Sequence, residues 1–235
     1  KEALKAAGAD IVINCIGVVK QRETPKMAIP MIELNSLFPH RLAALCMEAD
    51  AKLIHFSTDC VFSGSRGGYT EADLPDPADL YGRSKLLGEV EDGTSLVLRT
   101  SIVGWETTHR LGLLEWFAGQ RHKSIRGFEK AVFSGLTTSA ISRLIADIIE
   151  TRPDLSGLYH VASAPISKCS LLSRLREELQ WFDIKIAEDV EFRCGRSLDA
   201  SRFWAELGRL PPAWDEMIAE VAREWSFYQE RRERG

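Results

Sequence analysis

The chain has 235 residues, of which 45% are hydrophobic, and its 30 basic and 34 acidic side chains leave a formal charge of −4. That length and apolar content are enough for one large α/β domain, or a domain with an added lobe. The near balance of charge removes the single-sign field that a polynucleotide or an anionic membrane would need, so neither is expected as a partner.

Residues Lys1 to Gly8 read as the tail of a helix that runs directly into an apolar strand near residues 10 to 16. A helix is predicted near 29 to 49, a strand near 52 to 57 and a helix near 78 to 91. Strands near 95 to 100, 131 to 134 and 157 to 161 follow, with helices near 111 to 121 and 137 to 151 between them. Alternation of this kind is the pattern of βαβ units. The runs Leu53-Ile54-His55-Phe56 and Leu96-Val97-Leu98 are continuous rather than alternating, as strands covered on both faces are. The fold class expected is therefore α/β: a doubly wound, mostly parallel Rossmann-type sheet. Beyond residue 163 the chain turns mainly helical, near 167 to 180, 199 to 207 and 213 to 231, with a short strand around Asp189 to Phe192 and a break at Pro211-Pro212. This predicts a smaller C-terminal α+β lobe.

Five scattered cysteines, Cys15, Cys46, Cys60, Cys169 and Cys194, form no CxxC pair and no cluster with histidine. Reduced thiols, a cytoplasmic location and no metal site are expected. No stretch approaches the roughly 20 apolar residues of a membrane helix, and the first residues lack a signal-peptide layout.

The chemistry concentrates in Ser57-Thr58-Asp59-Cys60-Val61-Phe62 and in Tyr81-Gly82-Arg83-Ser84-Lys85. A hydroxyl pair ends a buried strand, where parallel sheets open the crevice that binds ligands. A Tyr-x-x-x-Lys pair then opens a helix, with both side chains on one face. Hydride delivered to a carbonyl carbon leaves charge on its oxygen, which an acid must neutralise as it forms. Tyr81 can supply that proton, Lys85 can stabilise the phenolate left behind, and Thr58 can hydrogen-bond the carbonyl oxygen. A Tyr-x-x-x-Lys pair alone arises readily by chance; its place after Ser57-Thr58-Asp59 and the Pro75 to Pro77 loop carries the reading. Cys60 has no paired histidine, since His55 lies within the strand as a structural residue, and Glu71 and Asp73 read as solvated carboxylates of a turn-rich loop.

The segments Ser-Thr-Asp-x-Val-Phe, Tyr-Thr-Glu-x-Asp and Tyr-Gly-Arg-Ser-Lys-x-x-Gly-Glu resemble the dTDP-4-dehydrorhamnose reductase family of extended short-chain dehydrogenases/reductases. The likeness continues through Asn14 to Gly17, Leu34-Asn35, Arg99-Thr100-Ser101, Ser134 to Ser139, Gly157 to His160 and Ser197-Leu198-Asp199. It implies an NAD(P)-binding Rossmann domain over 1–104 and 131–163, and a substrate-binding lobe over 105–130 and 164–235. It implies catalysis by Tyr81, Lys85 and Thr58. NADPH or NADH would lie against Cys15, Ile16, Gly17, Asn35, Ser57, Tyr81 and Lys85, with Asn35 either supporting the lysine or purely structural. A nucleotide-sugar substrate would meet Thr58, Asp59, Cys60 and Ile102. The implied activity is reduction of a 4-keto nucleotide sugar in surface polysaccharide or deoxysugar biosynthesis, with a homodimer as the candidate assembly.

Three departures qualify the resemblance. The glycine-rich turn that seats a dinucleotide pyrophosphate is absent, and Gly64 to Gly68 is no substitute because no helix follows it at once. Either the chain is a fragment lacking the first βαβ segment, or cofactor would bind poorly. Cys60 and Ile102 stand where the rhamnose-pathway enzymes carry aromatic residues, which points to a different sugar or another use of the pocket. The segment Trp105 to Gln120 is divergent and puts Trp116 and Phe117 near a lobe entrance or in the core. Two other readings share the pattern: an epimerase that retains its NAD, and a non-catalytic binding subunit like the regulatory beta subunit of methionine adenosyltransferase, which resembles the same family.

Overall fold

The computed structural model describes residues 2–22 and 24–234; Lys1, the first residue of the predicted helix tail, lies outside them. In chain order the main elements begin with α1 (Glu2–Ala7), β1 (Ile11–Asn14), α2 (Ala28–Met31) and α3 (Phe38–Glu48). A π-helical stretch, Ile32–Leu37, joins α2 and α3 without a break. Next come β2 (Lys52–Thr58), α4 (Leu80–Leu86), β3 (Leu96–Thr100), β4 (Ile102–Val103) and α5 (Leu113–Ala118). The remainder is β5 (Ser124–Phe133), β6 (Leu136–Thr137), α6 (Thr138–Thr151), β7 (Gly157–His160), β8 (Ile166–Ser167), α7 (Lys168–Glu178), β9 (Lys185–Gly195), α8 (Ser201–Leu207) and α9 (Trp214–Arg234).

The main sheet has the order β1-β2-β3-β7, and every pairing is parallel. Its strands are apolar on both faces because successive side chains feed different cores. Leu53 and Val97 pack with Ala43 and Cys46 of α3. Ile54, Leu96 and Leu98 pack with Ile141, Leu144, Ile145 and Ile148 of α6. Helices therefore cover both faces, and the doubly wound α/β architecture expected from the continuous apolar runs is present.

The strand predicted near 131 to 134 is the end of a longer one, and it lies outside the main sheet. β5 pairs antiparallel with β8 and parallel with β9. Its burial alternates only in part, and Gly127 stands where a Cβ would meet the Cys169 sulfur at 2.6 Å. A charged, interrupted pattern of this kind hides a strand from periodicity. The same holds for β9, which runs for 11 residues around the predicted Asp189 to Phe192 segment with exposed charged side chains along it. This second sheet, packed by α7, and an aromatic cluster of Trp105, Phe117, Trp181 and Trp225 form the smaller lobe. No helix among the described residues is long and apolar enough to cross a membrane.

Candidate active site

The carboxyl ends of β1, β2 and β3 open together on a cavity of about 1170 Å³, with Asn14, Thr58 and Thr100 on its wall. The parallel register puts Thr58 beside Thr100 and Asn14 beside His55. The cavity extends from the Cys15 to Lys20 loop to Val132, Phe192, Cys194 and Arg196 of the second lobe. It is thus bounded by the Rossmann sheet on one side and by the lobe on the other, the arrangement expected at the strand ends of a parallel sheet.

Helix α4 begins at an Asp79 cap, inside the helix predicted near 78 to 91. The Asp79 carboxylate accepts from the Gly82 amide at 2.8 Å and is paired with Lys20 at 2.5 Å. Gly82 is required because a Cβ there would lie 2.2 Å from the Cys60 carbonyl oxygen, so the helix start is pressed against the end of β2. That close approach brings Tyr81 and Thr58 together on the cavity wall. Burial raises the Tyr81 pKa above the usual tyrosine range, aided by the Cys60 thiol and opposed by the Thr58 hydroxyl. The phenol therefore holds its proton across the neutral range.

One turn along, the Lys85 ammonium donates to the Phe56 carbonyl oxygen at 2.5 Å. Burial lowers its pKa to about 8, and the Glu89 carboxylate works against that fall. The Thr58 hydroxyl accepts from the Cys60 amide at 3.1 Å and donates to the Asp59 carboxylate at 3.3 Å. Burial raises the Asp59 pKa against the pull of Arg196. The Cys60 thiol is pushed up to about 12 by burial and by Asp59, which leaves it protonated and a poor nucleophile.

The other predicted residues divide. Cys15, Ile16 and Gly17 are exposed on the cavity wall, in a loop whose Ile16 amide donates to the Asn14 side chain at 3.1 Å. Cys60 and Ile102 also line the cavity. Ser57 reaches its wall, but the hydroxyl donates to Glu89 at 2.5 Å. Asn35 is fully buried: its side chain accepts from the Val18 amide at 2.8 Å, donates to the Val18 carbonyl at 2.9 Å and donates to the Ser84 hydroxyl at 3.0 Å. It thus fastens the cavity loop to α4.

His55 is buried on the Asn14 amide at 3.0 Å, and burial lowers its pKa to about 3, consistent with a structural residue. Glu71 is not free in solvent; it accepts from the His160 amide at 2.9 Å and pairs with Arg202. Phe117 is core, and Trp116 is exposed away from the cavity. Gly64 to Gly68 docks on the second lobe, with the Gly68 amide donating to the Ser197 hydroxyl at 2.9 Å.

Sequence reasoning did not assign Lys168, Arg196, His109 or Tyr228 to the cavity, all of which line it. It also gave no role to the Glu89–Arg99 pair. The signal was available for Arg99, since a charge inside the wholly buried strand Leu96–Thr100 demands a partner.

The family model described as RmlD substrate binding domain matches residues 1–181. The chain belongs to this family. The RmlD match covers β1 to α7 and takes in Tyr81, Lys85 and Thr58. The chain is 27% identical, over 97% of its length and 81% of the relative's, to the probable low-salt glycan biosynthesis reductase Agl14 of Haloferax volcanii. A shorter stretch, 22% of the chain and 16% of the relative, is 51% identical to the methionine adenosyltransferase 2 subunit beta of Danio rerio. The fold superposes with a TM-score of 0.82 on the dTDP-4-dehydrorhamnose reductase of Bacillus anthracis in complex with NADP, at 21% identity, covering 95% of this chain and 83% of that one. RmlD relatives belong to the NAD(P)-dependent short-chain dehydrogenases/reductases.

Proposed function

We propose that this chain acts as an NADPH- or NADH-dependent reductase on the C4 ketone of a nucleotide sugar. The observation that carries the proposal is the meeting of Thr58, at the end of β2, with Tyr81 and Lys85, one turn apart on α4, on one wall of the cavity, Lys85 being bonded to β2 at Phe56.

The residues fit the nicotinamide end of a dinucleotide. Gly17 presents no side chain on the exposed loop beside β1, where a Cβ would come within 3.0 Å of the Asn35 amide oxygen. Cys15, Ile16, Gly17 and Lys85 would hold that end, and when bound the cofactor supplies hydride. Tyr81 keeps its proton at the phenol oxygen until negative charge develops on the sugar oxygen, then releases it there. Thr58, beside Tyr81 on the cavity wall, would hydrogen-bond the same sugar oxygen. The Lys85 ammonium, held by the Phe56 carbonyl, offsets the charge of the resulting phenolate. Asp59, Cys60 and Ile102 would border the sugar; Cys60 and Ile102 give it a narrow sulfur-and-aliphatic surface rather than a flat aromatic one.

The test is oxidation of NADPH or NADH, followed at 340 nm, with a 4-keto-6-deoxy nucleotide sugar. The wild-type protein should turn over and Tyr81→Phe should not, with its fold intact by circular dichroism. Equal turnover by that variant would remove Tyr81 as the acid. The likeness to the methionine adenosyltransferase subunit supports a second reading, a partner subunit without turnover. Stable association with a catalytic subunit and no consumption of reduced cofactor would favour it. An epimerase would instead keep tightly bound NAD and consume none.

A further inference from the structure

The strand Leu96–Thr100 is buried at every position, yet it contains a guanidinium. Arg99 donates through Nε to Glu89 Oε1 at 2.8 Å and through Nη2 to Oε2 at 2.7 Å, and both side chains are almost fully buried. Removing two charges from water costs several kcal/mol each before their attraction is counted, so such a pair is poor evidence of a stability device. Its connections give it another role. Glu89 lies in the turn just after α4, where its amide donates to the Leu86 carbonyl at 3.2 Å. The same carboxylate accepts from Ser57, the residue before Thr58, at 2.5 Å. Arg99 stands opposite Ser57 in the β2–β3 register and also meets His160 of β7 at 3.4 Å.

We propose that Glu89 is a positioning residue for Lys85 and Thr58: clamped by Arg99 and Ser57, its carboxylate ties the end of the active-site helix to the end of β2. The proposal rests on the reductase reading of the Tyr81 site and adds to it. Neither Glu89 nor Arg99 is among the residues lining the cavity, so the pair acts through others. Lys85 is itself bonded to β2, through Phe56, so helix and strand are tied at Lys85 as well as at Glu89. A displacement of the order of 1 Å at such a constellation is enough to slow a reaction about 100-fold. The Glu89 charge also reaches Lys85, where it favours the ammonium against burial. The other titratable groups around the pair are Tyr81 on the same helix, His55 from β2, held neutral, and His40 from α3. On the Glu89 side they are Arg99 from β3 and His160 from β7.

The test uses lysine labelled with ¹³C at the ε carbon, which reports the Lys85 titration by NMR without turnover. In Glu89→Gln, which keeps a hydrogen-bonding side chain of the same size, the Lys85 midpoint should fall by about one unit from its wild-type value. The alkaline limb of the kcat profile should move down with it while KM for the sugar nucleotide stays constant. A purely structural residue would lower stability and leave both midpoints where they were, and that outcome overturns the proposal. If Arg99 left without its partner prevents folding, Glu89→Gln combined with Arg99→Gln carries the same test. A wild-type protein that reduces no keto sugar removes the reductase reading, while the NMR titration still decides whether Glu89 governs Lys85.

Discussion

The carbonyl oxygen of Asn35 lies 1.9 Å from where a Cβ on Gly88 would be built. Pro39, four residues on, has no amide hydrogen to offer that carbonyl, and the helix around Asn35 is π-helical over Ile32–Leu37. The helix bearing Asn35 and the turn following Lys85 are thereby pressed together, backbone against backbone. Gly88→Ala should destabilise the fold by about 2 kcal/mol, as overpacking does, read as a lower urea midpoint at unchanged slope. An unchanged midpoint would show that the two segments can move apart freely.

The Asn35 side chain bonds both backbone polar groups of Val18, its amide and its carbonyl. Asn35→Ala should cost about 2 to 3 kcal/mol, because it removes three hydrogen bonds and leaves the Val18 amide buried without one. Hydrogen exchange should show that amide losing protection while the amides of β3 keep theirs; loss in both would mean a general opening instead.

The Lys85 pKa, lowered by burial to about 8, makes stability depend on alkaline pH. Above that value the folded protein has released a proton that the unfolded chain keeps up to its ordinary lysine range. Stability from this group therefore rises from pH 8 towards pH 10, by about 3 kcal/mol across the full window. Lys85→Met should lack this rise. Denaturation of both proteins at several pH values checks it, and parallel curves would contradict the burial of the charge.

His55 acts at the other end of the scale. Its folded pKa of about 3 lies below the ordinary histidine value, so the unfolded chain takes up a proton near pH 6.5 that the folded one refuses. Stability is lost as pH falls from 6.5 towards 3. His55→Gln, which keeps a polar group for Asn14, should flatten that acid limb in a thermal-melt series, and an unaltered limb would show that other groups control it.

Much of this was legible in the residues because local and tertiary demands agreed. Leu53 to Phe56 and Leu96 to Leu98 are apolar because both faces are covered, and Tyr81 and Lys85 share one face of the helix that the sequence predicts for them. What escaped was set by partners distant in sequence. Strand β9 has a charged, exposed surface and is held by backbone pairing to β5. Ser57 lines the cavity, while its hydroxyl shares the Glu89 carboxylate with Arg99 of the neighbouring strand, a link that no local pattern announces. Asn35 admits two roles from its local sequence because the three bonds it makes are with a loop and a helix on either side of it in the chain.

Trp105 belongs at once to the cavity wall and to a group of indoles, 4.5 Å from Trp225 and 6.3 Å from Trp181 between ring centres. Rings so close share excitation, so whatever quenches one dims the group. The protein thus carries a built-in fluorophore in the cavity wall, and anything that fills the cavity should be visible in its own ultraviolet emission, with no dye attached.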